Sequence, residues 1–128
     1  MVESKIRRHT DLIVYQRAYT AAMTLFETTM SFPQEERYSL IDQVRRSSRS
    51  VCANLAEAWR KRRYKAAFVA KLCDSEAEAA ETQVWIQFAV DSKYVDREIV
   101  KPIYTEYDEI IAMLVTMINN PDKWILSK

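Results

Sequence analysis

Apolar residues recur every three to four positions in four stretches of this chain, separated by short polar or proline-containing breaks. The first opens at Thr10-Asp11, which offers a helix N-cap, and carries the stripe Leu12, Tyr15, Ala18 or Tyr19, Ala22, Leu25 or Phe26, and Met30. Pro33 disfavours helical geometry at Phe32, so a helix is predicted over about 11–31. The second covers about 36–62, with the stripe Leu40, Val44, Ser47 or Ser48, Val51, Leu55, and Ala58 or Trp59. The third covers about 64–91 and has two stripes. One is Phe68, Leu72, Ser75, Ala79, Thr82, Ile86 and Val90; the other is Ala70, Cys73, Ala77, Ala80, Val84 and Phe88. Two apolar stripes on one helix predict burial on more than one side, and hence an oligomer. The fourth covers about 96–119, from an N-cap at Asp96 along Ile99 or Val100, Ile103, Tyr107, Ile110 or Ile111, Leu114, and Met117 or Ile118. Pro102 allows a later start, nearer Lys101. Asn119-Asn120-Pro121 ends this helix and leaves the apolar tail Trp124-Ile125-Leu126.

Long amphipathic helices joined by short connections predict an all-α, antiparallel up-down four-helix bundle. With 128 residues and no long linker, a single domain over 1–128 is expected. Composition strengthens this. There is no glycine, so a phosphate-cradling loop, a dinucleotide fingerprint and a nucleophile elbow are all excluded. No run reaches the roughly 18 apolar residues of a membrane span. The first ten residues lack the apolar core of a signal peptide, so a cytoplasmic location is expected. Cys52 and Cys73 do not make a disulfide framework and read as two small buried hydrophobes in a reducing compartment.

Charge changes the picture more. The net charge is +1, yet the segment from Gln43 to Lys65 holds eight basic residues against one acidic one, Glu57. The basic residues are Arg45, Arg46, Arg49, Arg60, Lys61, Arg62, Arg63 and Lys65. Such a cluster neutralises phosphates and gives sequence-independent affinity for RNA or DNA, with Trp59 and Tyr64 placed to stack on unpaired bases. The alternatives are a solvated helix end favoured by the helix dipole, or pairing with Asp74, Glu76, Glu78 and Glu81 within or between subunits. Asn54 and Glu57, three apart among small and apolar neighbours, point to a buried polar network with Glu81 and Gln83, or with an arginine of another helix or subunit, rather than to a binding site.

Candidate chemistry is thin. The only histidine is His9, and no Glu-x-x-His motif exists, so no di-metal site or Ser-His-Asp set is expected. Cys73 stands near Lys71, but Leu72 and Ala77 argue for its burial. No catalytic residue, metal or cofactor is predicted. The alanine-rich stretch from Ala66 to Ala80 allows close helix approach, and Trp85, Phe88 and Trp124 are candidate interface anchors.

Several blocks in consistent order resemble one family. They are Asp11-Leu-Ile-Val-Tyr-Gln-Arg-Ala18, Phe32-Pro-Gln-Glu-Glu-Arg-Tyr-Ser-Leu40, Gln43-Val-Arg-Arg-Ser-Ser-Arg-Ser-Val-Cys-Ala-Asn-Leu-Ala-Glu57 and Glu81-Thr-Gln83. The chain is similar to the four-helix-bundle proteins encoded in intervening sequences of 23S ribosomal RNA genes. The resemblance implies a small bacterial cytosolic bundle that assembles into a ring-like homopentamer. A more distant branch serves diversity-generating retroelements as a basic partner of a reverse transcriptase. Here Cys52 stands where most members have proline, and Ala58 where they have glycine. The first restores a backbone donor and the second removes a flexible point in the second helix. The expected function is a non-catalytic homo-oligomer that binds RNA or other nucleic acid non-specifically. The alternative is a protein-interaction scaffold whose arginines make intersubunit or partner salt bridges.

Overall fold

A computed structural model describes residues 6–126; residues 1–5, half of the stretch inspected for a signal peptide, lie outside the described residues. Four helices carry the fold: α1 (Ile13–Thr29), α2 (Leu40–Arg60), α3 (Lys65–Asp91) and α4 (Arg97–Asn119). No strand occurs among the described residues. α1 packs on α2 and α4, and α3 packs on the same two, so α1 and α3 sit on one diagonal of an antiparallel bundle. The α2–α3 seam is the most extensive.

The apolar periodicity explains the core. Val44, Val51 and Leu55 of α2 meet Phe68 and Leu72 of α3, and Tyr107, Ile110 and Leu114 of α4 close the other side. Burial of each large apolar side chain contributes about 1.5–3 kcal/mol relative to exposure. In α1, Thr29 is buried and Met30 exposed, so the inward stripe turns slightly from the predicted one. In α3 the inward stripe matches the prediction except that Ala89 replaces Val90 at the end. The second predicted stripe of α3 points outward into solvent.

Helix boundaries follow from local hydrogen bonds. The Asp11 carboxylate accepts from the Arg7 and Arg8 amides at 2.9 and 3.0 Å, capping a short 3-10 turn over His9–Asp11. Having spent its cap there, the chain begins α1 only at Ile13. Glu36 does similar work before α2. Its carboxylate accepts from the Ser39 hydroxyl and from the Leu40 amide at 3.2 Å, and the Tyr94 hydroxyl donates to its other oxygen at 2.7 Å. Those bonds hold the Glu36 carboxyl below the ordinary glutamate value. α2 thus starts at Leu40, and Glu36 ties its start to the α3–α4 corner. α2 continues unbroken through Cys52 and Ala58 to Arg60. α4 starts at Arg97 behind Asp96 and tolerates Pro102 early in the helix.

With no glycine available, a lysine ends α3. Lys93 takes φ 66°, while the Tyr94 amide donates to Ala89 and the Lys93 amide to Val90 at 3.0 and 2.9 Å. These two bonds form a Schellman motif at a position that favours glycine.

Candidate nucleic-acid interface

The basic segment divides in two. Along α2, Arg49 and Arg60 are about 16 Å apart at 1.5 Å per residue. Arg45, Arg46 and Arg49 lie near the start of the helix; Arg60 to Lys65 lie at the other end of the bundle.

Near the start of α2, Arg45 is part of the structure. Its Nε donates to the Thr29 hydroxyl at 2.9 Å, Nη2 to the Phe26 carbonyl at 3.4 Å, and its guanidinium lies 4.6 Å from the Phe26 ring. It donates to one hydroxyl and one carbonyl in the last turn of α1, a usual place for a cation. Arg49 is exposed, with its guanidinium 5.9 Å from the same ring. Arg46 is exposed and makes a long 4.0 Å contact with Asp42.

The other end is built from three parts of the chain. Trp59 is only 4% exposed, which removes it as a base-stacking surface. Its indole N–H donates to the Arg7 carbonyl at 3.3 Å, fixing the N-terminal arm, and its ring stands 6.3 Å from Trp124. Arg62 lies over the Trp59 ring at 3.5 Å and donates from Nε to the Trp59 carbonyl at 2.7 Å. Burial and the neighbouring Arg60 hold its pKa below the ordinary arginine value. The Arg62 carbonyl accepts from the Leu126 amide at 3.1 Å, and Lys65 pairs with Asp122 at 2.8 Å. Trp59 and Arg62 are therefore the frame that binds the arm, the α2–α3 corner and the C-terminal turn together.

Around this frame Arg60, Lys61 and Arg63 are exposed and make no ion pair among the described residues. Tyr64 stands between them and Lys65, 67% exposed. The Trp59 bond also brings exposed Arg7 and Arg8 to this end. Sequence reasoning missed those two. Their signal was a basic pair five residues before the first apolar stripe, with Asp11 poised to turn the chain.

The expected buried network of Asn54, Glu57, Glu81 and Gln83 does not form. Glu57 is exposed and pairs with Lys71 at 3.0 Å; Glu81 is exposed and accepts from Trp85. Asn54 donates to the Ser50 carbonyl in its own helix, and Gln83 reaches Asp108 and the Tyr104 carbonyl on α4. A long glutamate at these positions reaches water more cheaply than the core. Hydroxyls fill the interior instead. Thr82 and Ser47 bond across the α2–α3 seam at 2.8 Å, and Ser75 donates to the Val51 carbonyl at 2.8 Å. Small buried residues on that seam let the helices approach closely enough for these bonds.

The cysteines also differ from expectation. Cys73 is exposed on the outward face of α3, and Cys52 is half-buried. Burial pushes the Cys52 thiol up to about 11. Among the candidate anchors Phe88 is exposed, while Trp85 and Trp124 are half-buried. His9 packs edge-on against Tyr15 at 4.9 Å. Among the described residues no three His, Cys, Asp or Glu side chains converge on a metal position, and no helix is long and apolar enough to cross a membrane.

These features define an all-α, antiparallel four-helix-bundle protein with one basic end. The chain matches the family described as 23S rRNA-intervening sequence protein over residues 10–116, and it belongs to that family. It is also similar to a crystal structure from Bacteroides thetaiotaomicron of a protein with unknown function from the S23 ribosomal protein family. That likeness has a TM-score of 0.73 and 25% identity, covering 83% of this chain and 98% of the other. No curated protein matches this chain.

Proposed function

We propose that this protein is a non-catalytic, self-associating bundle that holds RNA or other nucleic acid at its basic end, without sequence preference. The observation that carries the reading is the set Arg60, Lys61 and Arg63, without an ion pair among the described residues, around exposed Tyr64 and joined by Arg7 and Arg8. Cations without carboxylate partners are free to displace counterions from phosphates, and an exposed tyrosine gives an unpaired base a face to stack on. Binding rather than catalysis suits the thiol as well, because burial keeps Cys52 protonated and a poor nucleophile. The free thiols of Cys52 and Cys73 suit a reducing cytoplasm. The family resemblance adds the expectation of five copies, which would multiply the basic surface.

The test is binding of a labelled single-stranded RNA to the full chain across a salt series. With three to five cations engaged, log K should fall with log salt at a slope of roughly −2 to −3.5. Arg60→Glu with Arg63→Glu should abolish most of that affinity. Absence of salt-dependent binding to any RNA or DNA would overturn the reading. The alternative, a scaffold whose arginines pair with another subunit or protein partner, is favoured only for Arg49, which sits on an aromatic and methionine-rich face.

A further inference from the structure

Two exposed faces of the bundle complement each other. On α1, Tyr19, Met23 and Met30 are exposed by 53%, 46% and 68%, in line with Phe26 under Arg49. Spaced four, three and four residues apart, these side chains share one side of the helix. On α3, the outward stripe runs through Ala77, Glu81, Val84 and Phe88, with the last two exposed by 46% and 56%. Isolated exposed apolar residues need no explanation, but a row of them along α1 and the neighbouring pair Val84 and Phe88 on α3 do. Met, Tyr, Phe and Arg are residue types enriched in interfaces.

Charge gives the pairing its sense. Arg49 makes no ion pair among the described residues, and neither does Glu81. Burial, and then the like charges of Glu81 and Asp74, raise the Glu78 carboxyl above its ordinary value against the pull of Arg46, while Asp74 itself lies 3.6 Å from Lys71. The α3 face is thus apolar with an excess of negative charge, and the α1–α2 face is apolar with a free cation. Because α1 and α3 occupy opposite corners of the bundle, one chain cannot bring the two faces together.

We infer that the occupant of the α3 face is the α1–α2 face of a second copy, with Arg49 of one copy opposite Glu81 of the next. The contact is heterologous: each copy uses two different surfaces. Such contacts repeat until the rotation closes a ring or, failing that, extend a filament. The basic end lies outside both faces, so assembly leaves Arg60, Lys61 and Arg63 accessible. This assignment rests on the self-association proposed above and adds which surfaces carry it.

The experiment uses the full chain in sedimentation velocity, with circular dichroism to verify folding. Wild type should sediment as an oligomer. Met23→Glu on the α1 face and Phe88→Glu on the α3 face should each give folded monomers, since both side chains are exposed in the single chain. Mixed together, the two variants should form a one-to-one dimer and nothing larger, because each retains one intact face. Arg49→Glu should weaken assembly, and Glu81→Arg added to it should restore assembly. A monomeric wild type overturns self-association itself. An oligomer that survives both variants, or a mixture that stays monomeric, overturns only the choice of faces.

Discussion

The Ser47–Thr82 bond fixes the α2–α3 seam, and its contribution can be isolated. Ser47 is 2% exposed and Thr82 fully buried, so water cannot replace either partner. Thr82 has one proton and two acceptors in reach, the Ser47 oxygen at 2.8 Å and the Glu78 carbonyl at 2.9 Å. Ser47 donates its own proton to the Val44 carbonyl, at a poorer 3.3 Å. Thr82→Val keeps the shape and strips the hydroxyl, leaving Ser47 with that weak bond alone. The cost should be about 1–2 kcal/mol, the usual penalty of a buried group losing its good partner. Ser47→Ala should cost less, about 0.5–1 kcal/mol, because Thr82 still donates to Glu78. The double variant leaves no hydroxyl behind, so it should be no less stable than Thr82→Val, giving a coupling of about 1 kcal/mol. Urea unfolding at one protein concentration measures this. With a slope near 2 kcal/mol/M, Thr82→Val should move the midpoint down by about 0.5–1 M. Additivity of the two single effects to within about 0.3 kcal/mol would refute the direct bond.

Lys93→Gly should stabilise the chain by about 1 kcal/mol and raise the melting temperature by a few degrees, because it relieves left-handed backbone in the α3 cap. Tyr107→Phe should leave stability unchanged or raised in thermal melts, since the Tyr107 hydroxyl is buried with no hydrogen-bond partner among the described residues; a clear loss would show that it has one. Arg62→Ala should lower the melting temperature through lost stacking on Trp59, whereas Arg63→Ala should leave it in place and flatten the salt dependence of RNA binding. Glu36 and Glu106 have carboxyls held below 4.5, by Ser39, Tyr94 and Leu40 in one case and by Arg17 in the other. Their stabilisation should be complete above about pH 5.5 and be lost as pH falls through 4.5 and below, and Glu36→Gln should shallow that acid limb of a melting curve.

The helices were legible because burial in a bundle depends on one variable, the angle of each residue around its axis. Val51, Leu55, Phe68, Leu72, Tyr107 and Leu114 fall on the inward arc by spacing alone, and all are fully buried. Polar interior positions were less legible. Ser75 and Thr82 fell on the inward stripe of α3, yet Asn54 and Glu57 looked like the natural network because they are strongly polar amid alanines. The rotation of α2 turns Glu57 to solvent, where Lys71 meets it. Whether a polar residue bonds across a seam depends on interhelical distance, which periodicity does not encode. The same holds for Trp59: its inward position was readable, but the Arg62 stack comes from the turn after α2 and the Arg7 carbonyl from the N-terminal arm folding back.

The division of the basic segment follows from α2 being continuous. Had the chain turned near Cys52 or Ala58, the two groups of arginines could have met on one surface. Instead an unbroken helix from Leu40 to Arg60 holds them apart and gives them different neighbours. Arg45 finds the Thr29 hydroxyl and the Phe26 carbonyl and Arg49 an aromatic ring, both on the face that carries Tyr19, Met23 and Met30. Arg60, Lys61 and Arg63 find no carboxylate among the described residues, and Asp122 of the nearby C-terminal turn pairs with Lys65. On the proposed function and assembly, the two groups would then have different roles: Arg49 would meet a second copy, and Arg60, Lys61 and Arg63 would hold phosphates. In a heterologous ring every copy would present that free end in the same orientation about the axis. Self-association would then set the spacing of the nucleic-acid contacts as well as their number.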